Sequence, residues 1–160
     1  MSSETLEIKA TNYDTLRHIE AVRNLIDAVI AELLIRGKQH DQTKMQSPEV
    51  ELFTELTPKL HGSTYGSPEY SEFLKDLKPA LDHHYANYRH HPENHPNGIN
   101  DMNLIDVVEM MCDWIASSRR HTDGNIKKSI EINRTRFQMS DQLVNIFKNT
   151  ATYLEQLEKR

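Results

Sequence analysis

Apolar residues recur at helical spacing along almost the whole chain, and this periodicity is the strongest constraint on its fold. Between residues 13 and 36 they return every three or four positions: Leu16, Ile19, Val22, Leu25, Ile26, Val29, Ile30, Leu33 and Leu34. Such spacing places them along one face of an α-helix. No segment alternates with the period of a strand, and no internal repeat is visible. The sequence therefore predicts an all-α fold, a bundle of about six to seven helices.

Helix start and stop signals divide the chain into segments. Asn12 and Gly37 are the expected limits of the first helix. The tripeptides Ser47-Pro48-Glu49 and Ser67-Pro68-Glu69 resemble each other as start signals, with a capping serine, a proline in the first turn and an acid after it. We expect the remaining helices over residues 48–60, 68–90, 104–120, 125–138 and 141–158, with a proline- and glycine-containing loop over residues 91–103.

Length and composition limit the organisation of the protein and its partners. A chain of 160 residues suits a single domain. We expect a flexible N-terminus over residues 1–12, a helical domain over residues 13–160 with its metal-binding core in residues 15–120, and a C-terminal helical pair over residues 125–158. The net charge of −5 gives no overall attraction for nucleic acid. The lone Cys112, the absence of a signal peptide and the absence of a membrane span predict a cytoplasmic protein, and the last helix could support a homodimer.

The adjacent residues His40 and Asp41 are the first candidates for chemistry. An imidazole and a carboxylate in sequence can both reach one cation if other helices supply further ligands. His18 shares a helical stripe with apolar residues, which predicts that it faces the core, and Asp113 lies in mid-helix, where no capping role explains it. A buried charge is costly unless it is paired or bound to a metal. We therefore predict that these four residues bind one divalent cation.

Five histidines crowd between residues 83 and 95 and extend this pattern. His84 and His91 continue the apolar stripe of their helix, so we expect them to face inward and to allow a second metal ion. His83, Asn87 and His90 fall on the flank of that stripe, where they would orient ligands or meet a substrate. Mixed imidazole and carboxylate ligands suit a divalent transition metal, without distinguishing Mn, Fe, Co, Ni and Zn.

These residues also have ordinary structural interpretations. His40 and Asp41 could cap a short helix, and an inward histidine is often a hydrogen-bonded core residue. Asp106 is explained by the dipole at the start of its helix. Arg119 and Arg120 complement the C-terminal end of theirs, although they could instead belong to a phosphate-attracting rim.

The ordered set resembles the HD-domain superfamily of metal-dependent phosphohydrolases. The matching pieces are H-I-E-A-V from His18, H-D-Q-T-K from His40 and C-D-W-I-A-S around Asp113, in the order of that superfamily. The run H-H-Y-A-N-Y-R-H-H-P-E-N-H is similar to a small helical branch found in phages and bacteria. The resemblance implies that His18, His40, Asp41 and Asp113 are metal ligands, that His84 and His91 complete a second site, and that Lys44 contacts phosphate. Single-metal HD nucleotidases usually have an acid at the position of Lys44, which argues against their acid-assisted mechanism here. Possible substitutes for that acid, none of them marked by a motif, are Glu49, Glu51, Asp106 and Glu109.

The function implied by the resemblance is hydrolysis of a nucleotide or another small phosphate ester by a metal-activated hydroxide. Lys44 would stabilise the phosphoryl oxygens, and His83 or His90 would relay protons. Asn87, Arg119 and Arg120 are the expected substrate contacts. Two alternatives stay open: a di-iron oxygenase of the HD type, and a non-catalytic helical domain that binds a nucleotide or a protein and uses metal only to hold its fold.

Overall fold

The computed structural model describes residues 3–62, 68–120 and 124–159, and all regular structure within them is helical. The α-helices are α1 (Ser3–Gln39), α2 (Glu49–Gly62), α3 (Pro68–Asn87), α4 (Leu104–Ser118), α5 (Ile126–Phe137) and α6 (Asp141–Leu157). Short 3-10 helices cover Gln42–Met45, Pro92–Asn94 and Gly98–Asp101. The predicted all-α fold is confirmed. No helix in the described ranges is both long enough and apolar enough to cross a bilayer.

The chain divides after Lys38 into two compact units, and the first consists of α1. A single helix cannot cover its own apolar stripe, so the predicted stripe is exposed within this unit. Leu16 and Leu25 have 64% and 69% of their surface accessible, and His18 is exposed as well. The prediction that His18 faces a core is therefore not confirmed.

Helix α1 is longer at both ends than the sequence predicts. The segment expected to be flexible is helical from Ser3, because residues 3–12 contain neither proline nor glycine, and Asn12 lies inside the helix instead of capping it. Gly37 does not stop the helix either, since α1 continues to Gln39. The left-handed residue that follows the helix is Asp41, with φ 57° and ψ 15°.

The second unit begins with a pair of packed helices, α2 and α3. Leu56, Leu77 and Ala80 form the centre of their interface and are almost completely buried. Partly buried residues of the same two helices, Leu52, Phe53 and Leu81, surround them. Burial of such side chains stabilises the pair by roughly 1.5–3 kcal/mol each for the larger ones. The packing fixes Glu49, at the start of α2, opposite the end of α3 that carries His83 and His84.

A larger core is formed by α4, α5 and α6. Its buried residues are Met110, Met111, Ile115, Ile126, Ile130, Met139, Val144, Phe147 and Ala151. Trp114 stacks on Phe137 and meets the edge of Phe147, so it packs in this core as a hydrophobic residue. Asn103 caps α4 in a reciprocal capping box with Asp106, which confirms the helix-start interpretation of that acid. This core orients α4 so that Glu109 and Asp113 approach the turn after α1.

Candidate metal centre

Asp41 is the residue on which the candidate site converges. Its left-handed backbone is uncommon outside glycine, although aspartate and asparagine adopt it more readily than other residues. The turn directs Oδ1 toward histidines of later segments and Oδ2 toward the preceding His40. Oδ1 lies 3.1 Å from Nε2 of His84 and 3.7 Å from Nε2 of His90, and Oδ2 lies 3.6 Å from Nε2 of His40. Distant parts of the chain therefore meet around one carboxylate, as the sequence predicts.

Three histidines of the His83–His95 segment surround Asp41 with unsatisfied ring nitrogens. His84 and His90 are each 1% exposed. Nε2 of His84, both ring nitrogens of His90 and Nε2 of His91 have no hydrogen-bond partner. Oδ1 of Asp41 is likewise buried and unpaired. Ligand atoms of these four residues all lie within 4.8 Å of one another. Buried polar atoms are normally hydrogen-bonded, so an orphaned group of this composition fits a bound cation.

A second set of possible ligands shares the same aspartate. His40, Asp41 and Asp113 also offer ligand atoms within 4.8 Å of one another. Nε2 of His40 lies 3.8 Å from Oδ1 of Asp113, which α4 supplies. The structure thus brings together five of the six predicted metal ligands, namely His40, Asp41, His84, His91 and Asp113. His18 belongs to the first unit, and its role as a ligand stays a prediction.

Two buried glutamates, Glu49 and Glu109, contact the outer nitrogens of these rings. The sequence offers both only as possible substitutes for the acid missing at the position of Lys44, and it predicts no contact with the histidines. Nδ1 of His84 lies 2.9 Å from Oε2 of Glu49, whose surface is completely buried. Nδ1 of His40 donates to Oε1 of Glu109 at 3.0 Å, and Nδ1 of His90 lies 2.9 Å from the same oxygen. Each ring therefore meets a glutamate through Nδ1 and faces Asp41 through Nε2.

The carboxylates of the site are held in their ionised form. Burial alone would raise the pKa of Glu109, but hydrogen bonds from His40 and His90 lower it to about 2. Against the effect of burial, His84 and Lys44 lower the pKa of Asp41. Thr43, followed by His83 and His84, lowers the pKa of Glu49. His40 lowers the pKa of Asp113.

Two histidines of the centre, His40 and His91, have pKa values shifted in opposite directions. Asp113, and the hydrogen bond to Glu109, raise the pKa of His40 to about 10. Burial, together with the charges of His90 and His84, lowers the pKa of His91 to about 3. His91 is therefore neutral at pH 7 and has a lone pair available, whereas His40 binds a proton that a metal ion would replace.

Several predicted contacts lie at the rim of this centre. Nζ of Lys44 is 2.6 Å from Oδ2 of Asp41, and its side chain is partly exposed. His83 is also partly exposed and lies 2.7 Å from Oε1 of Glu49, with its backbone carbonyl accepting from the side chain of Asn87. Lys44 and His83 thus stand next to the candidate ligands on the accessible side.

Other predicted positions need correction. His90 was expected on the flank of its helix, but α3 ends at Asn87 and the following turn places His90 in the centre of the cluster. Arg119 makes a bidentate ion pair with Glu158 of α6, at 2.9 and 2.8 Å, so its guanidinium is already bound by a carboxylate. Arg120 is exposed in the turn after α4.

The fold and these side chains define an all-α protein with a candidate metal centre of histidines and carboxylates. A family model matches residues 7–156 and is described as a family of unknown function, DUF5662. Because the match spans most of the chain, the protein belongs to this family. Searches of curated proteins and of solved structures found no match.

Proposed function

We propose that this protein is a metal-dependent phosphohydrolase of the HD type that acts on a nucleotide or another small phosphate ester. The observation that supports the proposal is the convergence of His40, Asp41, Asp113 and the histidines of residues 84–91 on one buried point. His40, Asp41 and Asp113 belong to the pieces on which the resemblance to the HD-domain superfamily rests, whereas His18, the first of those pieces, is not among the converging residues. An inert helical bundle has no need for unpaired imidazoles at that point, because each costs free energy when buried.

The donor set suits one or two divalent transition metals, since Asp41 belongs to two of the three groups of possible ligand atoms, and the third group is His40, His90 and Glu109. Asp41, His84, His90 and His91 would hold one ion, and His40, Asp41 and Asp113 would hold another. When bound, such an ion supplies Lewis acidity toward phosphoryl oxygens and lowers the pKa of a coordinated water. The four lowered carboxylate pKa values keep the site anionic at neutral pH, which favours divalent cations.

The chain's own residues at the rim would bind the phosphate and move protons. The ammonium group of Lys44 lies beside the cluster and can leave Asp41 to contact a phosphoryl oxygen once metal neutralises that carboxylate. His83 directs Nδ1 toward Glu49, so its hydrogen lies on Nδ1 and its Nε2 can accept a proton. Asn87 adjoins that nitrogen at 3.5 Å and can hold the ring in place. Arg119, which is exposed and paired with Glu158, and the exposed Arg120 stay predicted substrate contacts.

The test is hydrolysis of a panel of nucleotides and simple phosphate esters, supplemented in turn with Mn²⁺, Co²⁺, Ni²⁺, Zn²⁺ and, without oxygen, Fe²⁺. The panel is repeated with Asp41→Asn and His84→Ala, and with Glu131→Gln as the control, which alters ion pairs with Lys148 and Arg134 on α5 and α6 and no candidate ligand. We expect activity in the wild type and the control, and its loss in both site variants. Activity that survives both site variants would refute the proposal.

His18 provides a separate test of the resemblance. In the HD-type interpretation His18→Ala removes a ligand, so the metal bound per chain should fall while Glu131→Gln retains it. An unchanged metal content would show that the second unit alone builds the centre.

The number of histidines in the larger ligand group also suits iron, which keeps a di-iron oxygenase as the second candidate. Elemental analysis of anaerobically purified protein distinguishes the two. Iron together with oxygen consumption supports the oxygenase, whereas a redox-inert metal with phosphate release supports the hydrolase.

A further inference from the structure

The three histidines closest to Asp41 share a two-sided arrangement. On the inner side, Nε2 of His40, His84 and His90 lies between 3.1 and 3.7 Å from an oxygen of Asp41. On the outer side, Nδ1 of each ring lies between 2.9 and 3.0 Å from a glutamate oxygen. Two glutamates make these Nδ1 contacts: Glu49 contacts His84, and Glu109 contacts both His40 and His90.

We propose that Glu49 and Glu109 are positioning residues that place the hydrogen of these imidazoles on Nδ1 and so reserve Nε2 for a metal ion. The inference rests on the metal centre of the proposed function and deepens it. A carboxylate can only accept a hydrogen bond from a ring nitrogen, which requires a hydrogen on Nδ1. In a neutral imidazole the lone pair is then on Nε2, the nitrogen that faces Asp41.

The burial and origin of the two glutamates support this role. Glu49 is fully buried and Glu109 is 8% exposed, so neither is a solvated surface acid. Burying a carboxylate is costly unless hydrogen bonds compensate. The Nδ1 atoms of His83 and His84 provide such bonds to Glu49, and Nδ1 of His40 provides one to Glu109. Nδ1 of His90 lies 2.9 Å from Glu109 without the alignment of a hydrogen bond, and a small rotation of the ring would complete it. Glu49 comes from the first turn of α2 and Glu109 from the middle of α4. Each glutamate thereby attaches histidines from other segments to a packed helix.

Glu109 contacts two of the three rings, whereas Glu49 contacts one of them. Its Oε1 is shared by His40, which follows α1, and His90, which follows α3. The two rings lie with their centroids 4.4 Å apart. Glu49 also contacts His83, through its other oxygen, so it links a buried ring to one at the rim.

The experiment measures Co²⁺ affinity and the visible spectrum of the Co²⁺-loaded protein for Glu109→Gln, Glu109→Ala, Glu49→Gln and Glu49→Ala. Partners that orient a ligand typically change affinity by about 10- to 100-fold when removed, so we expect the Kd to rise by that factor in the alanine variants. The glutamine variants retain a neutral acceptor of the same size and should fall between wild type and alanine. Because the ligands themselves are unchanged, the band positions and the number of ions bound should be retained.

A direct readout of the tautomers separates the two glutamates. In spectra of ¹⁵N-histidine-labelled, Zn²⁺-loaded protein, we expect Nδ1 to carry the hydrogen in His40, His84 and His90. Glu109→Ala should perturb His40 and His90 and spare His84, and Glu49→Ala should do the reverse, so each variant is the matched control of the other.

Three results would overturn the inference. The first is a Co²⁺ affinity within about threefold of wild type in both alanine variants, well below the effect of an orienting partner. The second is a lost ion or shifted bands of the kind that Asp41→Asn produces, which would make the glutamate a ligand. The third is a wild-type chain that binds no Co²⁺. A chain that binds Co²⁺ with the expected order of variants but hydrolyses nothing overturns the proposed function and supports the positioning role.

Discussion

Nε2 of His84 and Oδ1 of Asp41 lie 3.1 Å apart, yet neither atom has a hydrogen-bond partner. The two atoms approach each other without the alignment that a hydrogen bond requires. Both are buried, and in a protein interior such atoms are usually satisfied. A cation between them and the neighbouring rings of His90 and His91 would satisfy all of them at once, which explains why the chain tolerates the arrangement.

The substitution Asp41→Asn should abolish metal binding while preserving the turn. Asparagine tolerates the left-handed backbone of position 41 and matches the size of aspartate, but it brings no negative charge. We expect the Kd for Co²⁺ to rise by about 100-fold or more, above the effect of an orienting residue. Titration followed by visible absorption measures it, and Glu131→Gln should match wild type. Unchanged affinity in Asp41→Asn would show that the cluster is not the metal site.

Metal should stabilise the protein without being required for its helices. At a free metal concentration 100 times the Kd, linkage predicts an increase of about 2.7 kcal/mol in the free energy of unfolding. The core of α4, α5 and α6 contains none of the candidate ligands, so chelation should lower the Tm and leave the far-ultraviolet circular dichroism helical. Complete unfolding on chelation would instead support a structural metal.

The end of α5 offers a test of the backbone geometry. Gln138 has φ 52° and follows the helix as its left-handed cap, a position that favours glycine. We expect Gln138→Gly to raise the free energy of unfolding by about 0.5–1 kcal/mol. The same substitution at exposed Gln142, within α6, should lower it by about 0.5–1 kcal/mol. Urea denaturation of both variants measures the difference, and an equal loss at both sites would contradict the left-handed cap.

Asp106 is expected to be the most important cap in the second unit. It is completely buried, completes the capping box of α4 and accepts two hydrogen bonds from Arg89. We expect Asp106→Ala to lower the free energy of unfolding by about 2–3 kcal/mol, from the lost cap and the lost charged hydrogen bonds. Glu158→Gln removes a carboxylate from an exposed pair and should change it by less than about 0.5 kcal/mol. A cost for Asp106→Ala as small as that of the control would contradict the role assigned to the box.

The helices of the second unit could be predicted closely because their limits depend on local chemistry. The helices α4, α5 and α6 begin within one residue of the predicted positions, and their caps are Asn103, Asn125 and Ser140. The limits of α1 were not predictable in this way. Glycine can end a helix but does not have to, and α1 continues past Gly37. The left-handed residue after the helix is Asp41, and an aspartate does not by itself predict that conformation.

The members of the candidate site were predictable only where the residue type suits a metal and the position around a helix shows which way the side chain faces. The phase of α3 accounts for His84, but it fails for His90 because the chain leaves the helix after Asn87. Glu109 lies one turn before Asp113 on α4, so its position on the same face was visible in the sequence without a motif to mark it. The sequence indicates Glu49 as an acid in a first turn and as a possible substitute for the missing acid. Its contact with histidines more than thirty residues away depends on the packing of α2 against α3 and was not predictable.

The left-handed geometry at position 41 restricts which amino acid can occupy it. Glycine would fit the backbone but supplies no donor, and a glutamate would carry the charge on a longer arm from a disfavoured conformation. Asparagine fits sterically and is neutral. Among the common amino acids, aspartate alone combines a short side chain that tolerates the left-handed backbone with a negative charge. One residue therefore serves both the turn after α1 and the candidate metal centre.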